Sequence, residues 1–527
     1  MMHPGVRASR AFRLLQALLA LALGCGERAA HFNVVIVSVD TLRADRLGSY
    51  GNDEWGTSPS PALDDLAARS VLFERAYAPR GQTHPSLASL LTGKYPATHG
   101  VRENGQKLSS EHLTLFERLK RAGFTTGVFV ANLQVGHSTE SWASRGADVA
   151  ADGYAGRWQQ ESRQQGLYQE IWDDRIEAAG LRFLDEVDRS RPFALWMHFY
   201  DVHKPYTPPE EHLHRYGVSA GLPAPLTAPG PGSEAELERH IAEITLTRRP
   251  VSEAELRRIR GLYDGAVAAT DARLGRLLDK LGALGALERS FVIFTSDHGE
   301  ELYDHNRYFF HGSSIYDGVV RIPLVVWGPH LQRGLRVRAH VQNIDVAPTV
   351  LDLLGLPPDP DMEGHSLAPL LRGDSSDPPA AYAFVEWQNL ISAVTDGRWK
   401  LIWNPQHVWT RKEPFAMAPP EAGLGFRVEC IEAYDLAADP REQENLLAGF
   451  ELAGLDASSG AGLPPHLQPL FRALQAWLRD PRHRGELDRG FSEEEIERLA
   501  RMGYVAPVDR PSGRRVDILV REPCVAP

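Results

Sequence analysis

Carboxylates, imidazoles and one hydroxyl recur where short apolar runs end. Asp40 follows NVVIVSV in "VSVDTLRADRLGSYG", and Asp297 and His298 follow SFVIFTS in "SDHGEELYDH". Asp201 and His203 follow FALWMHFY in "DVHKPYTPP". Any one of these could be ordinary, since Asp after a strand often caps a helix and a lone His is usually structural. Three such ends presenting ligand-type side chains together indicate a site. Two carboxylates and an imidazole (Asp40, Asp297, His298) suit one divalent cation, and hard oxygen ligands with one nitrogen do not choose among Ca2+, Mg2+, Mn2+ and Zn2+. Such an ion neutralises an anionic substrate and lowers the pKa of a coordinated hydroxyl, making it a nucleophile. The hydroxyl is found in "GQTHPSLASLLTGKYP" (Gly81–Pro96). Pro85 fits the first turn of a helix and Gly93 its end, so Thr83 lies just before a helix N-terminus, where unpaired amides and the dipole favour an anion. Thr83 can cap that helix, attack the anion, or do both in turn.

These residues need a frame. Asn33–Val39, Thr126–Ala131, Phe193–Tyr200, Ser290–Ser296 and Pro323–Gly328 read as buried strands, being short, apolar and rich in β-branched or aromatic residues. Amphipathic stretches such as "LTLFERLKRAGF" and "VAATDARLGRLLDKLGAL" lie between them. The alternation predicts an α/β fold, a large mostly parallel sheet sandwiched by helices. In such sheets ligands bind beyond the carboxyl ends of the strands, which is where the candidate residues stand.

The chain has 527 residues and a net charge of −12. That balance, without a Lys/Arg run able to track a phosphate backbone, argues against a nucleic-acid partner. A small anionic substrate stays compatible with it, because a bound metal dominates its local field. The first residues are a separate object. Arg7, Arg10 and Arg13 precede an apolar run from Leu14 to Leu23 and then "ALGC", the layout of a secretory signal and short for a membrane span. "ALGC" resembles a bacterial lipobox, with Cys25 as the lipidated residue. This predicts an exported, periplasmic or cell-envelope lipoprotein touching the membrane only through Cys25. Cys430 and Cys524, the other two cysteines, could pair in an oxidising compartment. Val218–Ser233 is Pro/Gly-rich and reads as a surface loop. Composition shifts near Gly373–Pro379 and Asp456–Pro465 divide the chain into a signal segment (1–24), a catalytic domain (25–375), a smaller C-terminal α+β subdomain (376–452) and a helical tail (453–527).

Taken in order, "NVVIVSVDTLRADRLGSYG", "THPSLASLLTGKYPATHGV", "HFYDVHKPYTPP" and "TSDHGEELYDH…FFHGSSIYDGVVRIPLVVWGP" resemble the successive blocks of the sulfatase family, within the alkaline phosphatase superfamily. "DGRWKLIWN" and "EAYDLAADPREQENLL" are similar to that family's C-terminal subdomain, and "FSEEEIERLARMGYV" to the tails of some members. The resemblance implies that Asp40, Asp297 and His298 are metal ligands and that Thr83 holds the nucleophile position. It places His203 on the leaving-group side, His311 among the substrate contacts, and Asn132 as a polar substrate contact. It points to one Ca2+, with Mn2+, Mg2+ or Zn2+ as alternatives. A second ion would have to use Asp201, His203 and His311, whose spacing departs from that of two-zinc relatives, so one metal is expected.

Three departures bear on the chemistry. The signature Cys/Ser-x-Pro-Ser-Arg reads Thr83-His84-Pro85-Ser86-Leu87, Thr41 replaces the second Asp of the common Asp-Asp pair, and the Gly-Lys block is absent. Threonine does not yield formylglycine, so none is expected, and a hydroxyl nucleophile attacking a phosphate or phosphonate ester fits better. The expected activity is hydrolysis of a small anionic ester, sulfated or phosphorylated, on a glycan, lipid or aryl group. The alternatives are a phosphoryl transferase and a catalytically silent lipoprotein that binds an anionic glycan or lipid headgroup.

Overall fold

The computed structural model describes residues 32–131, 141–152, 170–204, 206, 208–216, 251–305, 308–312, 314–387, 391–405, 408–410, 426–427, 429–456, 458–484 and 519–520. The signal segment with Cys25, Asn132, the Pro-rich stretch, "FSEEEIERLARMGYV" and Cys524 lie outside them.

Two apolar faces on one strand demand cover on both sides, and β1 (Asn33–Val39) shows this directly. Val35, Val37 and Val39 join one core, while Val34 and Ile36 join the other. Alternation with period two assigns successive side chains to opposite faces, so a wholly apolar run becomes the central strand of a doubly covered sheet. The other strands are β2 (Val71–Tyr77), β3 (Thr125–Val130), β4 (Val149–Asp152), β5 (Phe193–Phe199), β6 (Ser290–Ser296), β7 (Glu301–Leu302), β8 (Tyr308–Phe310), β9 (Arg321–Trp327) and β10 (Leu335–Gln342). Eight of them form the main sheet in the order β10-β2-β9-β6-β1-β5-β3-β4. All neighbours are parallel except β9, which runs antiparallel to both β2 and β6. The stretch read as "PLVVWG" is therefore a buried strand of reversed direction. β7 and β8 form a separate two-stranded hairpin.

On one face lies the long Glu253–Ala283 helix, whose N-terminal Ser252 accepts a hydrogen bond from Glu255 N, satisfying an orphan amide. The Thr83–Thr92 helix lies against the other core through Leu87, Leu90 and Leu91. It stops at Gly93, which takes φ +68°, a left-handed C-terminal position that glycine fills without strain.

A second, antiparallel sheet orders β11 (Ala383–Trp387), β12 (Ile391–Thr395), β13 (Trp399–Trp403) and, after the short β14 (Val408–Thr410) and β15 (Phe426–Arg427), β16 (Ile431–Asp435). One of its faces packs on the Gln468–Arg479 helix through Leu401, Leu470, Phe471 and Leu474. The other meets the main body through Val385, Ile402, Tyr77 and Val319. Cys430 is disulfide-bonded. Among the described residues, no helix is long and apolar enough to cross a membrane.

Candidate active site

The parallel register fixes where the strand-end residues meet. Val39 pairs with Ser296 of β6 and with Phe199 of β5, so Asp40, Asp297 and His298 emerge side by side. Each is fully buried. Among the described residues they form the one group of carboxylates and imidazole whose ligand atoms all lie within 4.8 Å of one another. Thr83 is brought to them by its helix. Its Oγ1 donates towards Asp40 Oδ2 at 3.5 Å and lies 3.3 Å from His298 Nε2.

Thr83 proves to be the first residue of the helix, and its side chain makes no cap. The first turn also offers an anion fewer amides than the sequence suggested. His84 N–H goes to Asn104 Oδ1 and Ser86 N–H to Gln82 O, and Pro85 has none. The helix field remains; a nest of spare donors does not. Leu87, at the position of the family's arginine, is fully buried in apolar packing. Thr41 sits at φ +56°, a costly conformation for a β-branched residue. It is held by Tyr263, whose hydroxyl donates to Thr41 O at 2.6 Å, while Thr41 N donates to Asp297 Oδ1 at 3.2 Å.

The donor set fits a cation. His298 Nδ1 lies 2.9 Å from the Gly299 carbonyl. A carbonyl only accepts, so Nδ1 carries a hydrogen, and in the neutral ring Nε2 presents a lone pair. That lone pair faces Asp297 Oδ2 at 3.5 Å and Asp40 Oδ1 at 4.0 Å. Asp297 Oδ2 has no hydrogen-bond partner and is buried. Two carboxylates and an imidazole thus converge around the unpartnered Asp297 Oδ2, an arrangement a divalent ion would stabilise. The acid strengths show the same conflict. Burial, and then the charge of Asp40, push the Asp297 carboxyl well above its ordinary range. Asp40 is as buried, yet His198, His203 and His298 outweigh that and hold it at about 2.

Two further histidines flank the cluster. His203 stacks on Tyr200 with rings 4.4 Å apart and meets His311 edge-on at 5.3 Å. His203 Nδ1 lies 2.7 Å from Lys204 O, so Nδ1 is again the donor, and Nε2 is the basic nitrogen. Burial lowers its pKa to about 4, keeping the ring neutral. The His311 ring lies 4.8 Å from that of His298, and its Nδ1 contacts both Glu300 oxygens at 3.0 and 3.1 Å. Asp201 does not join the group. It accepts from Arg273 Nε at 2.8 Å and from Thr270 Oγ1 at 3.3 Å, which turns its Oδ2 to the long helix.

The strand-end reading missed two residues. Glu300 braces His311 from a position two beyond His298. His198 lies inside β5, fully buried, with Nε2 3.6 Å from Asp40 Oδ2. Its signal was a lone imidazole within the otherwise apolar "FALWMHFY".

The comparisons with known proteins identify the family. The Sulfatase family model matches residues 32–356, more than half of the chain. A model described as N-sulphoglucosamine sulphohydrolase, C-terminal, matches residues 305–413. An arylsulfatase of Clostridium perfringens (strain 13 / Type A) is 27% identical over 467 residues, covering 80% of this chain and 91% of the relative. A protein solved in complex with its substrate D-glucosamine-2-N,6-O-disulfate shares the fold with a TM-score of 0.64 at 20% identity, over 86% of this chain and 99% of that one. The phosphonate monoester hydrolase of Agrobacterium radiobacter does so with a TM-score of 0.62 at 22% identity, over 88% of this chain and 98% of that one. The chain belongs to the sulfatase family, within the alkaline phosphatase superfamily, and is a sulfatase-like hydrolase.

Proposed function

We propose that this hydrolase cleaves a phosphate or phosphonate ester, with Thr83 as nucleophile and one divalent cation held by Asp40, Asp297 and His298. The observation that carries the reading is the Thr83 hydroxyl, 3.5 Å from Asp40 Oδ2 and 3.3 Å from His298 Nε2, at the first position of a buried helix. When bound, the cation supplies charge neutralisation and a lowered pKa for the Thr83 hydroxyl.

The remaining work falls to the chain's own groups. The helix N-terminus orients the anionic ester through its field. Thr83 Oγ1 passes its hydrogen to Asp40 Oδ2, towards which it donates, and forms a bond to phosphorus as the bond from phosphorus to the departing ester oxygen breaks, leaving a phospho-Thr83 ester and an alkoxide. His311, with Glu300 as counter-charge to its protonated ring, gives the alkoxide its proton. In the second half, neutral His203 takes a proton from water through Nε2. The resulting oxygen bond to phosphorus displaces Thr83, which takes its hydrogen back from Asp40, and the proton held on His203 restores His311. Burial of the whole group excludes bulk water and strengthens each electrostatic contact.

A sulfate ester is the second reading, favoured by the arylsulfatase at 27% identity. One assay separates them: the purified chain, with each divalent cation, against aryl sulfate, phosphate monoester, phosphodiester and phosphonate monoester. The proposal expects turnover on a phosphorus ester, lost in Thr83→Ala. Turnover on sulfate alone overturns it. Binding of these anions without turnover of any would favour the silent lipoprotein. We also propose export and lipidation at Cys25, expected to give a lipid mass increment on the mature N-terminal peptide; an unmodified Cys25 in membrane fractions contradicts this.

A further inference from the structure

A polar chain runs through the sheet beneath the candidate metal ligands. Ser38 of β1 and His198 of β5 are cross-strand neighbours, and both are fully buried. Trp196 Nε1 donates to Ser38 Oγ at 2.9 Å, and Ser38 Oγ lies 2.8 Å from His198 Nδ1. His198 Nε2 points to Asp40 Oδ2 at 3.6 Å and has no partner within hydrogen-bond length.

Proton counting assigns directions to this chain. An indole N–H only donates, so Ser38 Oγ accepts from Trp196. The Ser38 hydroxyl still has one hydrogen to give, and its hydrogen-bond partners are that indole and His198 Nδ1. Were Nδ1 to donate instead, whether from a neutral or a charged ring, the Ser38 hydrogen would be stranded in the core, at a cost of about 1–3 kcal/mol. Ser38 therefore donates, Nδ1 accepts, and Nε2 carries the hydrogen of a neutral ring. That N–H is aimed at a carboxylate oxygen. At 3.6 Å the contact is electrostatic rather than a hydrogen bond, but it lies in a fully buried setting where water screens little.

We propose that His198 is a positioning residue for Asp40, and that the Trp196–Ser38–His198 relay holds Oδ2 so that Oδ1 is presented to the cation. The two oxygens of Asp40 are already sorted this way. Oδ2 faces His198 and the Thr83 hydroxyl, and Oδ1 faces His298 Nε2. The relay is built into neighbouring strands of the sheet centre, so it fixes the ligand without any loop rearrangement. This inference rests on the metal reading of the cluster, and it does not depend on which ester is cleaved.

The test is a calorimetric titration of chelator-treated full chain with Ca2+ and with Mn2+, alongside thermal unfolding without added cation. Outer partners of metal ligands typically contribute about 10–100-fold to affinity, and His198→Leu is expected to lose that much. His198→Gln keeps an N–H near the Nε2 position and should recover most of the loss. Ser38→Ala unpins Nδ1 and should weaken binding several-fold, serving as the second variant if His198→Leu fails to fold. A folded His198→Leu or Ser38→Ala with wild-type cation affinity overturns the proposal, as does His198→Gln behaving no better than His198→Leu. Absence of cation binding by the wild type would overturn the metal reading itself and this inference with it; binding without esterase turnover would leave the relay standing and sink only the proposed reaction.

Discussion

The rim of the main sheet and its junction with the small sheet both bury clusters of charge, and they treat it oppositely. At the junction, Lys400 Nζ lies 2.7 Å from Asp317 Oδ1 and 2.7 Å from Glu442 Oε1. His305 bridges Glu301 and the Glu442 backbone, stacked on Tyr316 at 3.8 Å. Asp317, Glu442 and Glu301 there each face a lysine or an imidazole. At the rim, two carboxylates, Asp40 and Asp297, converge with His298, their ligand atoms all within 4.8 Å of one another. Buried charge alone therefore does not mark a site. Buried carboxylates that converge with an imidazole on one point do, because like charges held together away from water are costly.

The comparison can be broken in several places. The largest effect is expected from Thr83→Ala, which should lower kcat/KM by on the order of 10³-fold or more if an attacking group is lost, with an unaltered circular dichroism spectrum. Lys400→Met should do the reverse, leaving cation affinity unchanged while destabilising the fold by about 3–5 kcal/mol in urea titrations, since two carboxylates lose their shared partner. If Lys400→Met also abolished cation binding, the two regions would not be independent. His203→Ala should cost roughly 10²-fold in kcat, the scale of one proton transfer, measured under saturating substrate. The smallest effect concerns pH. Burial opposes charge on His305, but Glu301 and then Glu442 push its pKa from 6.5 to about 9. A raised folded pKa contributes stability in full below 6.5 that is lost as pH rises through about 9, roughly 1–3 kcal/mol. Glu442, pushed by burial from 4.5 to about 7, acts in the same sense over a lower range. His305→Gln should flatten the upper part of that slope.

What was legible in the sequence follows from local physics. The limits of β1 and β6 match the apolar runs residue for residue, because central strands are apolar on both faces and polar residues end them. The same rule exposed Asp40, Asp297 and His298, which stand where those runs stop. β2 and β10 carry Glu74, Arg75, Arg336 and Arg338 within their spans, so their runs look broken; nearer the sheet edge, such charges reach solvent. β9 has the composition of a parallel strand, and its direction is decided by the chain path before it. Asp201 has the same local signature as Asp40 but turns to Arg273 on the long helix, a choice only tertiary packing makes. Likewise, which face His198 takes within β5 depends on register against β1, and no pattern within one segment reports that.

The central claim is that Thr83 is the covalent nucleophile. An acid quench during turnover of a phosphate diester, followed by peptide mass analysis over Gly81–Pro96, tests it most directly. The account predicts a phosphoryl adduct on Thr83 in the wild type that disappears in Thr83→Ala together with turnover. Undiminished turnover by Thr83→Ala, or an adduct on another residue, would contradict it.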